Sequence, residues 1–252
     1  MDFGWTEEET MWRKAVHDFA QKKIAPRVRE IDDTSNIPQD IIKAMADMGL
    51  WAPTVSEKYG GSGLNVTMAM IAAEELGRAD ISLALPVMYL VQASWGFVFE
   101  RYASEALKAE LLPQVTAGKQ FLGIASTEPG GGSDIEGVTR CTGAKQADGS
   151  WVLNGEKLYI SGIKESERMG GAYMTLVRTD PAAGHKGFSF FAVNIKDNPK
   201  VSTTLIHNWG RTGISTGGFT MEDMPLADHY RIGEEGDRKS TRLNSSHRLT
   251  SR

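Results

Sequence analysis

The 252-residue chain has a single cysteine, Cys141, so no disulfide can close within it. That excludes a disulfide-stapled secreted scaffold, and a reducing, cytoplasmic setting fits. No run of roughly eighteen uncharged apolar residues occurs, so no membrane span is expected. The longest apolar region, 81–99, is interrupted by Pro86, Gln92 and Gly96 and suits a buried helix. A basic excess is also missing. The net charge of −4 argues against a general nucleic-acid binder. His17, His185, His207 and His229 are scattered, and Cys141 lacks a ligand-spaced partner, so no metal site is expected. The acidic start, with Asp2, Glu7, Glu8 and Glu9, lacks the basic-then-apolar order of a signal peptide.

What is present is helical first. Thr6 and Glu9 have the spacing of a capping box. Behind them Trp12, Val16, Phe19, Ala20, Ile24, Val28 and Ile31 recur at helical spacing, with a kink expected at Pro26. A second helix lies between Pro38, at its first turn, and Gly49, at its end. A third runs over about 65–78, a fourth over roughly 81–102, and a fifth from a Ser104 cap to about Gly118. Beyond Gly118 the period changes. Segments 138–144, 151–160, 173–178, 188–194, 201–206 and 218–221 are short and β-prone, most of them separated by glycine or proline turns. The expected class is α+β: an N-terminal helical domain over 1–120, then a small antiparallel β-sandwich or barrel over 121–237. Residues 238–252 are basic and aperiodic, and 238–247 resembles a translated sequencing adapter. They are expected to be a disordered tail outside the fold.

The stretch 124–134 carries the most chemistry. Gly130, Gly131 and Gly132 let the backbone approach a ligand closely, and successive N–H groups can form an anion nest with the Ser133 hydroxyl as an extra donor. Thr127 can aim its hydroxyl at a ring heteroatom. A glycine triplet by itself reads more readily as a tight turn between strands.

The flanks decide between these readings. Thr127-Glu128-Pro129-Gly130-Gly131-Gly132-Ser133-Asp134 resembles the signature of the acyl-CoA dehydrogenase family at every fixed position. Three further stretches resemble that family in the same order. They are Tyr59-Gly60-Gly61-Ser62-Gly63-Leu64, then Asn154-Gly155-Glu156-Lys157-Leu158-Tyr159-Ile160-Ser161, then Asn208-Trp209-Gly210-Arg211 through Pro225. The resemblance spans roughly residues 3–236.

The resemblance implies an FAD cofactor. Ser126 and Thr127 would bond the pyrimidine edge of its isoalloxazine, Tyr159 would pack on the ring face, and Ser161 would lie beside flavin N5. Ser133 would contact phosphate, either of FAD or of the acyl-CoA substrate. Tyr159 stands where tryptophan is common and Ser161 where threonine is commoner, and both keep the chemical type. The charged segment 162–171 reads as a loop that shapes the acyl or electron-acceptor side, or as a solvated loop.

The implied reaction oxidises an acyl-CoA thioester to its trans-2-enoyl-CoA, with electron-transfer flavoprotein as acceptor and a homo-tetramer as the family assembly. The family's catalytic glutamate belongs to a C-terminal helical bundle. No residue here matches it, so no catalytic residue is assigned. The 252-residue polypeptide is expected to be inactive and to hold FAD weakly. Acyl-CoA oxidases and flavin monooxygenases of the same fold, and a non-catalytic flavin- or ligand-binding segment, stand as alternatives.

Overall fold

The computed structural model describes residues 4–132 and 134–234. Ser133 and the segment 235–252, with its basic tail, lie outside the described residues.

The chain opens with the expected capping box. Thr6 Oγ1 accepts the Glu9 N–H at 3.2 Å, and Glu9 Oε2 accepts the Thr6 N–H at 2.8 Å, starting α1 (Glu7–Phe19). At Ala20–Ile24 the helix widens into a π turn, then tightens to a 3-10 turn at Ala25–Arg27 before α2 (Val28–Thr34). Pro26 has no N–H to give the ladder, and the irregularity falls around it. Helix α3 (Gln39–Asp47) begins just after Pro38, which takes the cap position rather than the first turn. Helix α4 (Val66–Ala79) is capped by Asn65, whose Oδ1 accepts the Met68 N–H at 2.9 Å.

Helix α5 (Ala84–Tyr102) starts three residues later than the apolar pattern suggests. Asp80 is the reason. Its carboxylate accepts the Ser82 N–H and hydroxyl at 2.9 and 2.6 Å and the Leu85 N–H at 2.8 Å, which holds 80–83 in a turn. Ser104 caps α6 (Glu105–Thr116) through the Leu107 N–H.

Among the described residues, the second half is one eight-stranded sheet: β1 (Phe121–Ala125), β2 (Thr142–Lys145), β3 (Trp151–Ser161), β4 (Gly171–Arg178), β5 (Phe188–Val193), β6 (Val201–Ile206), β7 (Thr216–Leu226) and β8 (Arg231–Ile232). Its order is β6-β7-β3-β2-β4-β5-β8, with β1 paired to β4. Antiparallel pairing dominates, as expected, but β1 and β2 both meet β4 in parallel. Residues 138–141 are not strand. A short helix, α7 (Ile135–Val138), precedes β2. The segment expected as a charged loop also differs: Gly162, at φ +85°, ends β3 and starts α8 (Ile163–Met169), which buries Ile163, Glu165 and Ser166.

The two halves share one core. Tyr173 stacks between Phe121 and Phe219, with ring centroids at 5.8 and 5.5 Å, while Trp151 meets Phe191 edge-on. Gln92, the polar interruption in the apolar run, is fully buried in α5. Its amide nitrogen donates to the Leu122 carbonyl at 2.9 Å and its oxygen accepts the Leu122 N–H at 3.2 Å. It therefore stands in for a neighbouring strand along the edge of β1, and that fixes the sheet against the helices. Among the described residues, no helix is long and apolar enough to cross a membrane.

Candidate functional site

The end of β1 and the second half of β3 converge. Leu158 donates its N–H to the Thr127 carbonyl at 3.0 Å. Beneath that bond lies Lys157, 0% exposed, whose Nζ reaches Glu128 Oε1 at 2.8 Å and the Ser126 carbonyl at 3.3 Å. The Glu128 carboxylate also accepts the Arg140 and Cys141 N–H groups at 2.6 and 3.1 Å. Burial pushes this carboxyl up, but the Lys157 charge and the converging donors pull harder and leave it below the usual carboxylate range. Burial pushes the neighbouring Cys141 thiol up to about 12, so it stays protonated and unreactive.

Above this buried pair the strand is deliberately irregular. Lys157 pairs with Phe219 and Ile160 with Gly217, so β3 spends three residue steps where β7 spends two. This is a bulge on β3. Trp151, Leu153 and Lys157 point inward before it, and Ile160 points inward after it. The change of phase falls on Tyr159, whose φ is +60° and which is 63% exposed. A bulky side chain in the left-handed region is strained, and this one gains no burial in return. Across the pair, Gly218 makes room. A Cβ there would come within 2.4 Å of the Lys157 carbonyl.

Ser161 ends the bulged strand, half-buried. Its backbone oxygen accepts the Tyr173 hydroxyl at 3.1 Å, and its side-chain oxygen accepts Arg211 Nη1 at 3.4 Å. Arg211 comes from the β6–β7 loop, itself at φ +48°, and its Nη2 donates to Thr216 Oγ1 at 2.7 Å. Burial lowers the pKa of Arg211, with the Glu165 charge opposing. The buried Glu165 carboxylate is engaged by Ser215, through its hydroxyl at 2.5 Å and its N–H at 3.3 Å.

The two halves of the chain match separate domain descriptions. Residues 6–119 match "Acyl-CoA dehydrogenase, N-terminal domain" and residues 123–224 match "Acyl-CoA dehydrogenase, middle domain". The chain belongs to the acyl-CoA dehydrogenase family.

Among relatives in this family, an acyl-CoA dehydrogenase of Bacillus subtilis (strain 168) is 33% identical over 237 residues, covering 92% of this chain and 59% of that protein. A glutaryl-CoA dehydrogenase of Desulfococcus multivorans is 28% identical over 240 residues, covering 94% of this chain and 60% of that protein. The solved glutaryl-CoA dehydrogenase–glutaryl-CoA complex superimposes with a TM-score of 0.86 at 28% identity, over 96% of this chain and 60% of that one. The chain thus spans about three fifths of the length of these acyl-CoA dehydrogenases.

Of the residues singled out from the sequence, Ser126 and Thr127 lie beside Lys157 and Leu158, with Tyr159 and Ser161 following on the same strand. Ser133 lies outside the described residues. Three contributors had no assigned role: Glu128, Lys157 and Arg211. All stood inside the quoted motifs. The inward period of β3 marks Lys157, since a lysine on the apolar phase of a strand needs a buried acid. Nothing in the period marks Arg211, which reaches Ser161 across fifty residues of chain.

Proposed function

We propose that this chain carries the flavin-cradling part of an FAD-dependent acyl-CoA dehydrogenase, which oxidises an acyl-CoA thioester to the trans-2-enoyl-CoA. The observation that supports this best is the β3 bulge. It presents a strained, outward-turned Tyr159 two residues from the Ser161 hydroxyl and against the end of β1 at Thr127. An exposed aromatic face with hydroxyl donors at its margin suits a flat ring with heteroatoms on its edge. The residues present therefore fit an isoalloxazine.

In this reading Tyr159 packs on the ring face. Thr127, with the backbone around Ser126, bonds the pyrimidine edge, and Ser161 donates beside N5. Ser133 contacts a phosphate of FAD or of the acyl-CoA. Held by these residues, FAD would supply hydride-accepting chemistry toward the substrate β-carbon. The protein's share is to fix the ring against the thioester so that both C–H bonds can break in one geometry. Lys157 and Glu128 hold the two motif segments at a fixed spacing. No residue of this chain is assigned as the base that takes the α-proton. The acceptor in this reading is an electron-transfer flavoprotein, and the assembly is a homo-tetramer.

Titrating FAD into the chain and following quenching of flavin fluorescence tests the cradle. Saturable binding that weakens in Thr127→Ala and Tyr159→Ala supports it, and no binding up to about 1 mM sinks it. Bleaching of chain-bound FAD by a saturated acyl-CoA would overturn the expectation that the 252-residue chain is inactive.

A further inference from the structure

We propose that Arg211 is a positioning residue: it holds the oxygen of the Ser161 hydroxyl so that the proton faces outward, and it sets a positive charge behind that hydroxyl which favours negative charge on the bound ring. The inference rests on reading the bulged face as an FAD cradle.

The loop that carries Arg211 is clamped on both sides. Thr212 donates its hydroxyl to the Asp32 carbonyl at 3.1 Å and to the Asp32 carboxylate at 2.9 Å. Gly213 packs so tightly on the helical half that a Cβ would meet the Ile31 side chain at 2.4 Å and Ala84 at 2.8 Å. The Ile214 N–H closes the turn on the Arg211 carbonyl at 3.1 Å. Arg211 is therefore delivered by a loop braced against helices α2 and α5, at a left-handed φ that an unconstrained arginine would avoid.

Its guanidinium has two assigned partners, and both are hydroxyl oxygens. Nη2 donates to Thr216 at 2.7 Å and Nη1 to Ser161 at 3.4 Å. Asn208 donates to the same Thr216 oxygen at 2.7 Å, so this oxygen is held from two sides. Among the described residues, no carboxylate lies within ion-pair distance of Arg211. The buried Glu165 is occupied by Ser215. Glu165 therefore acts on Arg211 only through space, and a half-buried cation with no carboxylate in contact gains from a ligand that brings negative charge to it.

An arginine can only donate. The Ser161 oxygen facing it must accept, and among the described residues the hydroxyl proton has no acceptor. The proton is thereby turned away from Arg211 and left to donate to a ligand on the Tyr159 side. Serine in place of threonine keeps this arrangement, because the oxygen and its single proton are the parts used. Uncharged glutamine is too short to reach Ser161 from the same backbone and removes the charge. Lysine keeps the charge but cannot span both hydroxyls with a rigid fork.

The test compares FAD with dithionite-reduced FAD, titrated anaerobically into the 252-residue chain as wild type, Arg211→Lys, Arg211→Gln, Ser161→Ala and the Arg211→Gln/Ser161→Ala double variant. The inference requires that Arg211→Gln weaken the reduced form at least about tenfold more than the oxidised form. Arg211→Lys should lie between Arg211→Gln and wild type. The two single losses should be non-additive, since glutamine is two atoms shorter than arginine and loses the bond to Ser161 together with the charge, so one residue acts through the other. Equal losses in both redox states, additive losses, or no loss would each overturn the positioning role. A wild-type chain that binds neither form would instead overturn the FAD reading itself, which separates the two failures.

Discussion

Two cations serve the two sides of the same strand end, and they are treated in opposite ways. Lys157 is sealed beneath β3 with a carboxylate at 2.8 Å and a backbone carbonyl beside it. Arg211 stands at the end of β3 with hydroxyls only. A buried charge with its own counter-charge has nothing left to offer a ligand, so Lys157 and Glu128 join two segments. A half-buried charge with no carboxylate in contact, only Glu165 at longer range, is available to a ligand. The strain follows the same division. Tyr159 and Arg211 have left-handed φ, whereas Lys157 and Glu128 do not. The side that faces outward carries the conformational cost, and the buried side supplies the rigidity that sustains it.

The largest effect expected from breaking this comparison is on the paired side. Lys157→Met leaves Glu128 ionised and buried without its partner, and should cost about 3–5 kcal/mol in urea denaturation. Adding Glu128→Gln should recover part of that loss, since it removes the unpaired charge and its amide oxygen still accepts one of the Arg140 and Cys141 N–H groups. On the outward side Tyr159→Asn should do the reverse. Asparagine tolerates the left-handed region, so stability should hold or rise by up to about 1 kcal/mol, while FAD affinity falls about tenfold.

The pH dependence sharpens the contrast. The Glu128 carboxyl is held below its ordinary value of 4.5. Its contribution to stability is therefore complete above that value and is lost as pH falls through the lower folded one. Denaturation curves recorded downward across this window should lose stability more steeply in wild type than in Glu128→Gln. The smallest expected effect lies far from both cations. Thr6→Ala removes the α1 cap and should cost about 1 kcal/mol, with FAD binding unchanged.

How much of this was legible in the sequence follows from the range of the interactions. The helices of the first half were, because their caps are local: Thr6, Asn65 and Ser104 each bond within three residues. Strand β6 (Val201–Ile206) falls on its expected bounds, and β3 and β5 fall within a residue of theirs. What was hidden depends on pairing across the sheet. The parallel contacts of β1 and β2 with β4 have no local signature, and α8 is a short charged helix whose buried residues include Glu165 and Ser166. The bulge at Tyr159 was invisible because it exists only relative to β7. Family motifs pointed to Thr127, Tyr159 and Ser161. They could not tell that Lys157 and Arg211, a lysine and an arginine within the same motifs, play opposite electrostatic parts.

The central claim is that the outward face formed by the end of β1, the β3 bulge and the Arg211 loop holds the flavin. Amide hydrogen exchange of the chain with and without FAD tests it most directly. The account predicts slowed exchange at 126–128, 158–162 and 211–216, with the helices of the first half unchanged. Protection confined to other segments, or none with FAD present at saturating concentration, would contradict it.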